Sequence, residues 1–191
     1  SVFYRYMLKL FGINVGSNTR FNGPIKFILN GNLKNIQIGD NVFIGKNVTL
    51  KIRENGKIII NEKAYLDDNV RIVAAREGLV EIDEGTNIGA NTIINSGGTV
   101  KIGKFCLISN NCNINSSSHG TLISNYVMDQ PHNHGKTAIE NDVWLGGFVT
   151  VAMGSHIKQG SVVGANSFVN STLSEFSINV GCPAKQIGHR E

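Results

Sequence analysis

The sequence predicts an all-β solenoid of about seven coils, each made of three short parallel strands, with one short helix at its start and one long inserted loop. Three observations predict it. An aliphatic residue recurs every six positions, a smaller residue usually follows four positions after each recurrence, and the residues in excess of this period collect at one edge. The period is plain in Ile38-Gly39-Asp40-Asn41-Val42-Phe43, followed directly by Ile44-Gly45-Lys46-Asn47-Val48-Thr49. A helix repeats every 3.6 residues and a single strand alternates every two, so a period of six calls for short strands joined by tight bends and stacked in coils.

In chain order, residues 1–14 come first. Val2, Phe3, Tyr6, Met7, Leu10 and Phe11 fall at helical spacing with Arg5 and Lys9 between them. This is a short amphipathic helix, read as a cap over the open end of the solenoid, with docking to a membrane surface as the alternative. Residues 15–174 form the solenoid. Its core positions run Val15, Phe21, Phe27; Ile38, Ile44, Leu50; Ile60, Leu66, Ile72; Ile82, Ile88, Ile94; Ile102, Ile108, Ile114; Ile139, Leu145, Val151; and Ile157, Val163, Val169. Residues such as Val42, Thr86, Cys106, Cys112 and Ser161 fall four positions on and are expected at corners. Successive coils start further apart than three hexapeptides require, and every extra residue can be placed after the third hexapeptide. The largest insertion is residues 120–138, and residues 175–191 are a C-terminal tail.

Composition narrows the function classes. Eighteen basic and fourteen acidic residues give a net charge of +4 without a long run, so no stripe for a nucleic-acid backbone is expected, though a small polyphosphate ligand suits the balance. No stretch approaches the ~18 apolar residues of a membrane span, and the start lacks the order of a secretory signal, so the chain reads as cytoplasmic. Cys106 and Cys112 lie six residues apart on neighbouring corners and should not pair; with Cys182 they form neither a disulfide framework nor a metal site.

Chemistry is expected where the repeat breaks, at Ser116-Ser117-Ser118-His119 and the insertion after it. These residues, the stretch Ile139-Glu140-Asn141-Asp142-Val143-Trp144-Leu145-Gly146-Gly147 and the closing Gly181-Cys182-Pro183-Ala184-Lys185, together with the repeats, resemble the hexapeptide-repeat acyltransferases. Within that family they are similar to the branch containing maltose, galactoside and xenobiotic acetyltransferases and the O-acetyltransferases of bacterial surface polysaccharides. The resemblance implies a left-handed parallel β-helix, a homotrimer with active sites between subunits, acetyl-CoA as acyl donor, no required metal, and a sugar or glycan hydroxyl as acceptor.

It also implies roles. His119 matches the catalytic histidine, a general base that removes the acceptor's proton; an imidazole, titrating near 6.5, is suited to that task. Gly147 matches the glycine whose backbone N–H faces the thioester oxygen, and Trp144 the indole that walls the pantetheine channel. Ala165 matches a position where backbone groups hold the pantetheine arm. Lys185, then Lys158 and Arg190, are the cations for coenzyme A phosphates. Where many relatives carry Thr-Lys after the last repeat, this chain has Asn170-Ser171, which puts the adenine-end contacts in question. Asn95 resembles an asparagine that binds sugar hydroxyls. In the insertion, Tyr126, Asp129, His132 and His134 either reach over a neighbour's site or decorate a mobile loop.

Other readings are weaker. A γ-type carbonic anhydrase shares the fold but takes zinc from histidines on regular coils, whereas His119, His132 and His134 crowd into one insertion. A β-helical scaffold or binding protein fits the repeats but leaves His119 and Trp144 unexplained. N-acetylation of an amino sugar or nucleotide sugar is the runner-up; the nucleotide-binding domain of some sugar N-acetyltransferases is not seen, which favours O-acetylation, and the helical domain of serine acetyltransferases is not seen either, which disfavours serine as acceptor.

Overall fold

The computed structural model describes residues 2–191; Ser1, the first residue of the expected helical segment, lies outside them. The chain winds into a three-sided prism. One sheet of eight strands begins with Asn14–Val15, a second of nine begins with Arg20–Phe21, and a third of seven begins with Lys26–Gly31. All pairings between coils are parallel, and each core position meets its counterpart in the next coil: Val15 opposite Ile38, Ile38 opposite Ile60, Leu50 opposite Ile72, Ile94 opposite Ile114, Leu145 opposite Val163. Every core position read from the repeat is buried except Phe21 and Phe27, which are half-buried in the first coil where only the helix covers them. Full burial of one such aliphatic side chain is worth about 1.5–3 kcal/mol, and the stack repeats that gain at every turn.

The corners explain the asparagines of the repeat. Asn18, Asn41, Asn47, Asn69, Asn91, Asn111 and Asn166 all have φ between 54° and 61°, the left-handed region that asparagine tolerates best after glycine. The next residue turns inward, so Val42 and Cys112 are buried as expected of corners, and Cys106 and Ser161 are buried likewise after Phe105 (φ 56°) and Gly160 (φ 69°). Cys106 and Cys112 are free thiols donating to the carbonyls of Glu140 (3.0 Å) and Gly146 (3.3 Å), and burial pushes the Cys106 thiol up to about 11.

The shorter insertions between the third and first sheets are mostly longer strands. Thr49–Glu54 and Lys57–Ile60 flank one of these edges, and their added residues bury Ile52 and Ile58; Ala74 and Val80 do the same one coil on. The edge thus gains an extra layer of core. Between the ends of the stack the difference is in polarity. At the start, the helix Val2–Leu10 buries Leu8, and Tyr4 accepts a hydrogen bond from the Ile25 N–H (2.9 Å) while its ring meets Phe21 edge-on. At the far end the expected tail from residue 175 opens with a strand, Ser177–Val180, that adds in parallel to the second sheet and extends the stack into an eighth coil. There Asn179 takes the core position above Val163, its amide donating to the Ser177 hydroxyl and the Val162 carbonyl. Lys185–His189 then folds back antiparallel and covers the edge.

Candidate active site

After Asn113–Asn115 the chain leaves the prism. Ser117–His119 pairs antiparallel with His132–His134, placing His119 opposite His132 and Ser117 opposite His134. The segment between folds around Gln130, which is buried: its amide oxygen accepts from the Leu122 N–H (2.7 Å), and its NH2 donates to the Leu122 and Asn125 carbonyls (2.8 and 3.0 Å). The expected loop at 120–138 is corrected at both ends. The departure begins with the strand at Ser117, and Lys136–Ile139 already belongs to the next coil, where its alternating Thr137 and Ile139 turn inward.

The hairpin gathers three imidazoles. His119 and His132 have ring centroids 4.1 Å apart, and His132 stacks on His134 at 6.1 Å. The His134 ring lies directly over Gly97, where a Cβ would collide with it. Burial, the Arg76 guanidinium and His132 hold the His134 imidazole below its usual titration range. Beneath the hairpin is a groove of about 560 Å³ on the outward face of the third sheet. Asn95 and Asn115, opposite each other in register, form its floor near the histidines; Lys51, Arg53, Arg71 and Arg76 line the rest. The structure thus brings Asn95 and His119 to one cavity, with His132 and His134 as further members.

Trp144, Gly147 and Ala165 lie elsewhere, on the second sheet and at the edge of the third sheet opposite the hairpin. Trp144 stands on the outward face of the second sheet between Leu107 and Val162, half-exposed, its indole N–H donating to the Ser109 hydroxyl (3.3 Å). The corner before it is taken by Asp142 (φ 56°) and Val143, so Trp144 begins the strand that follows. At the next corner the Gly146 N–H donates to the Val163 carbonyl (2.8 Å), the Phe148 N–H to Asn110 (3.1 Å) and the Asn166 N–H to Gly147 (2.9 Å). The N–H groups of Gly147 and Ala165 have no hydrogen-bond partner among the described residues. They occupy equivalent places in successive coils, about 4.8 Å apart.

The expected cations are spread. Lys185 is exposed on the last strand. Lys158 follows the strand His156–Ile157, near the pair in which the Glu140 carboxylate meets the His156 ring nitrogen at 2.6 Å. Arg190 is engaged by its own chain, donating to the Asp142 carboxylate (2.9 Å) and the Gly160 carbonyl (3.0 Å). Sequence reasoning missed Lys51, Arg53, Arg71 and Arg76. A signal existed: read across coils instead of along them, the outward positions beside Leu50 and Ile72 fall beneath Asn95.

A family model described as the hexapeptide repeat of succinyl-transferase matches residues 35–72 and 136–171. A putative lipopolysaccharide biosynthesis O-acetyl transferase of Escherichia coli is 31% identical over 144 residues, 71% of this chain and 74% of that protein. The chain belongs to the hexapeptide-repeat acyltransferases. A second relative, a probable acetyltransferase of Mycobacterium tuberculosis, is 28% identical over 152 residues, 78% of this chain; the chain spans half the length of that relative. The solved polysialic acid O-acetyltransferase OatWY superposes with a TM-score of 0.67 at 21% identity, covering 93% of this chain and 88% of that one. The shared architecture is the left-handed parallel β-helix of these acyltransferases.

Proposed function

We propose that this chain transfers an acetyl group from acetyl-CoA to a hydroxyl of a sugar belonging to a bacterial surface polysaccharide or its precursor, as a cytoplasmic homotrimer with active sites between subunits. The observation that carries the reading is the separation just described. His119 and Asn95 stand at one edge of the third sheet, and the half with two unused backbone donors stands at the other, so a complete site needs the second half from a neighbouring copy. Family membership and the 31% identical lipopolysaccharide O-acetyl transferase support the reaction and the acceptor class.

A bound thioester supplies an activated acyl carbon, and the chain's residues supply the rest. His119, exposed on the hairpin, accepts the proton of the attacking hydroxyl, a contribution of typically 10²–10⁴ in rate. Asn95 orients the sugar from the groove floor. The Gly147 N–H, spent on no internal bond, is the donor for the oxygen on which negative charge grows; losing one such donor costs about 3 kcal/mol of barrier. Ala165 offers a second free N–H to an amide-bearing arm, Trp144 a flat apolar wall, and Lys185 and Lys158 charge for phosphates. Arg190, tied to Asp142, orders the last strand beside them.

Thiol release from acetyl-CoA is measured with free sugars, nucleotide sugars and surface-glycan oligosaccharides, for wild type and His119→Ala. Acceptor-dependent release that drops on the order of a hundredfold or more in the variant, with coenzyme A binding intact, supports the reading. Absence of coenzyme A binding returns the chain to the scaffold reading, and an amide product in place of an ester moves it to N-acetylation. Co-expressing His119→Ala with Gly147→Val tests the shared site: mixed oligomers regain activity if the two residues come from different subunits, and stay inactive if they do not.

A further inference from the structure

We propose that the groove beneath His119 selects an acceptor bearing a negative charge, a carboxylate or phosphate held at a set distance from the hydroxyl that is acetylated. The inference rests on the acetyl-transfer reading of His119 and concerns the other end of the same groove. Lys51, Arg53, Arg71 and Arg76 line it together with the three hairpin histidines, and no aspartate or glutamate does.

Some cations elsewhere are matched coil to coil, where Lys63 and Lys104 share Glu84 and Lys101 meets Glu81 at 2.7 Å, and others stand singly; the groove differs in gathering four onto one face. Among the described residues, only Arg53 on the third sheet's face has an acidic partner, Glu54 at 3.4 Å; Glu54 also accepts the backbone N–H of Arg76. The side chains of Lys51, Arg71 and Arg76 form no ion pair among the described residues. Unpaired like charges repel one another and weaken the folded state, so gathering them in a cleft is unfavourable unless an anion answers them. A cleft lined by one sign of charge also concentrates ligands of the opposite sign, raising association rates by roughly 10–10³ in a salt-dependent way.

The register gives the distance. Lys51 pairs with Val73, Val73 with Asn95, and Asn95 with Asn115, the last strand position before the chain rises to His119. Each step is one strand spacing, so Lys51 lies roughly 10 Å below Asn95 and roughly 14 Å below Asn115. Arg71, beside Ile93, stands one coil below Asn95's strand. An acceptor with its hydroxyl under His119 and its anion over Arg71 and Lys51 fills the groove. An acidic sugar further along a glycan and the diphosphate of a nucleotide sugar both meet this geometry.

The test uses three probes on the full chain: a neutral maltotriose, a hexuronate trisaccharide, and uridine-diphosphate glucose, each titrated by calorimetry at low and high salt. At least one anionic probe should bind about tenfold or more tighter than maltotriose, weaken as salt rises, and lose that advantage in Arg71→Gln and Lys51→Gln, outward-facing changes checked for fold by circular dichroism. Which anion binds separates the carboxylate source from the phosphate source. In turnover, the same variants should raise the acceptor's KM at least several-fold while leaving that of acetyl-CoA unchanged. Equal binding of all three probes, no binding of any, or a rise confined to the acetyl-CoA KM would overturn the proposal. His119→Ala distinguishes the two readings: if it binds the anionic probe like wild type but retains full turnover, acetyl transfer by His119 fails while the charge selection stands.

Discussion

The coils and the hairpin obey different rules. Between the end coils each core position has a counterpart above and below, and stability accumulates from aliphatic contact repeated down the axis. The hairpin has no counterpart. It is held by its own pairing and by the three hydrogen bonds of one amide, and its histidines are exposed. The lesson is a division of labour: a stack that cannot change shape locally carries a segment whose geometry rests on a few polar contacts, so the hairpin's histidines can be altered or lost without unfolding the scaffold.

The largest expected effect strikes the stack. Ile72→Ala removes a buried side chain from the middle of the third sheet and should cost about 2–5 kcal/mol in denaturant unfolding, with the whole prism melting as one unit. If only part of the signal shifts, the coils are less coupled than their register implies.

Alkali is the next lever on the coils. Cys106 titrates at about 11 when folded against an ordinary 9.0, so the folded chain holds this proton more tightly. Its contribution is fully present below pH 9 and is lost as pH rises toward 11, by roughly 2–3 kcal/mol at 1.36 kcal/mol per unit. The difference in stability between wild type and Cys106→Ala, followed by thermal melts from pH 8 to 11, should show this slope; a flat difference would place the thiol in contact with water.

Gln130→Ala addresses the hairpin alone. Three hydrogen bonds disappear, and local opening should become easier by about 2 kcal/mol, seen as faster amide exchange at Leu122 with the global melting point nearly unchanged. A large drop in global stability would mean that the hairpin is part of the cooperative unit. The smallest effect is acid. His134 binds its proton less readily when folded, so hairpin stability is present above pH 6.5 and declines as pH falls below it. Protection factors in the hairpin, which divide out the intrinsic pH dependence of amide exchange, should fall between pH 7.5 and 5.5 in wild type and stay level in His134→Gln.

The fold was legible because each core residue signals separately: a stack of Ile, Leu and Val at a fixed period has few other solutions, and a smaller residue four positions on marks most corners. Two things were less legible. The shorter insertions look like loops in a count of residues, and only hydrogen-bond pairing shows that Ile52 and Ile58 extend strands and add a core layer. Handedness came from the resemblance, since a period has none. At the site, His119 and Asn95 could be named from motif matches. The cations were hidden because Lys51, Arg71 and Asn95 are about twenty residues apart in the chain and become neighbours only through the register. Trp144 and Gly147 were named together with His119, yet one chain does not gather them, because the prism holds its edges apart.

That same register makes the groove a ruler. Its floor is graduated in whole coils, about 4.8 Å each. A chain of this kind can gain or lose one turn between Lys51 and Asn95 and thereby move the cations relative to His119 by a single division, with every inward contact reproduced. Under the proposed charge selection, the reach of the acceptor is set by a count of coils, and changes in it come in discrete jumps.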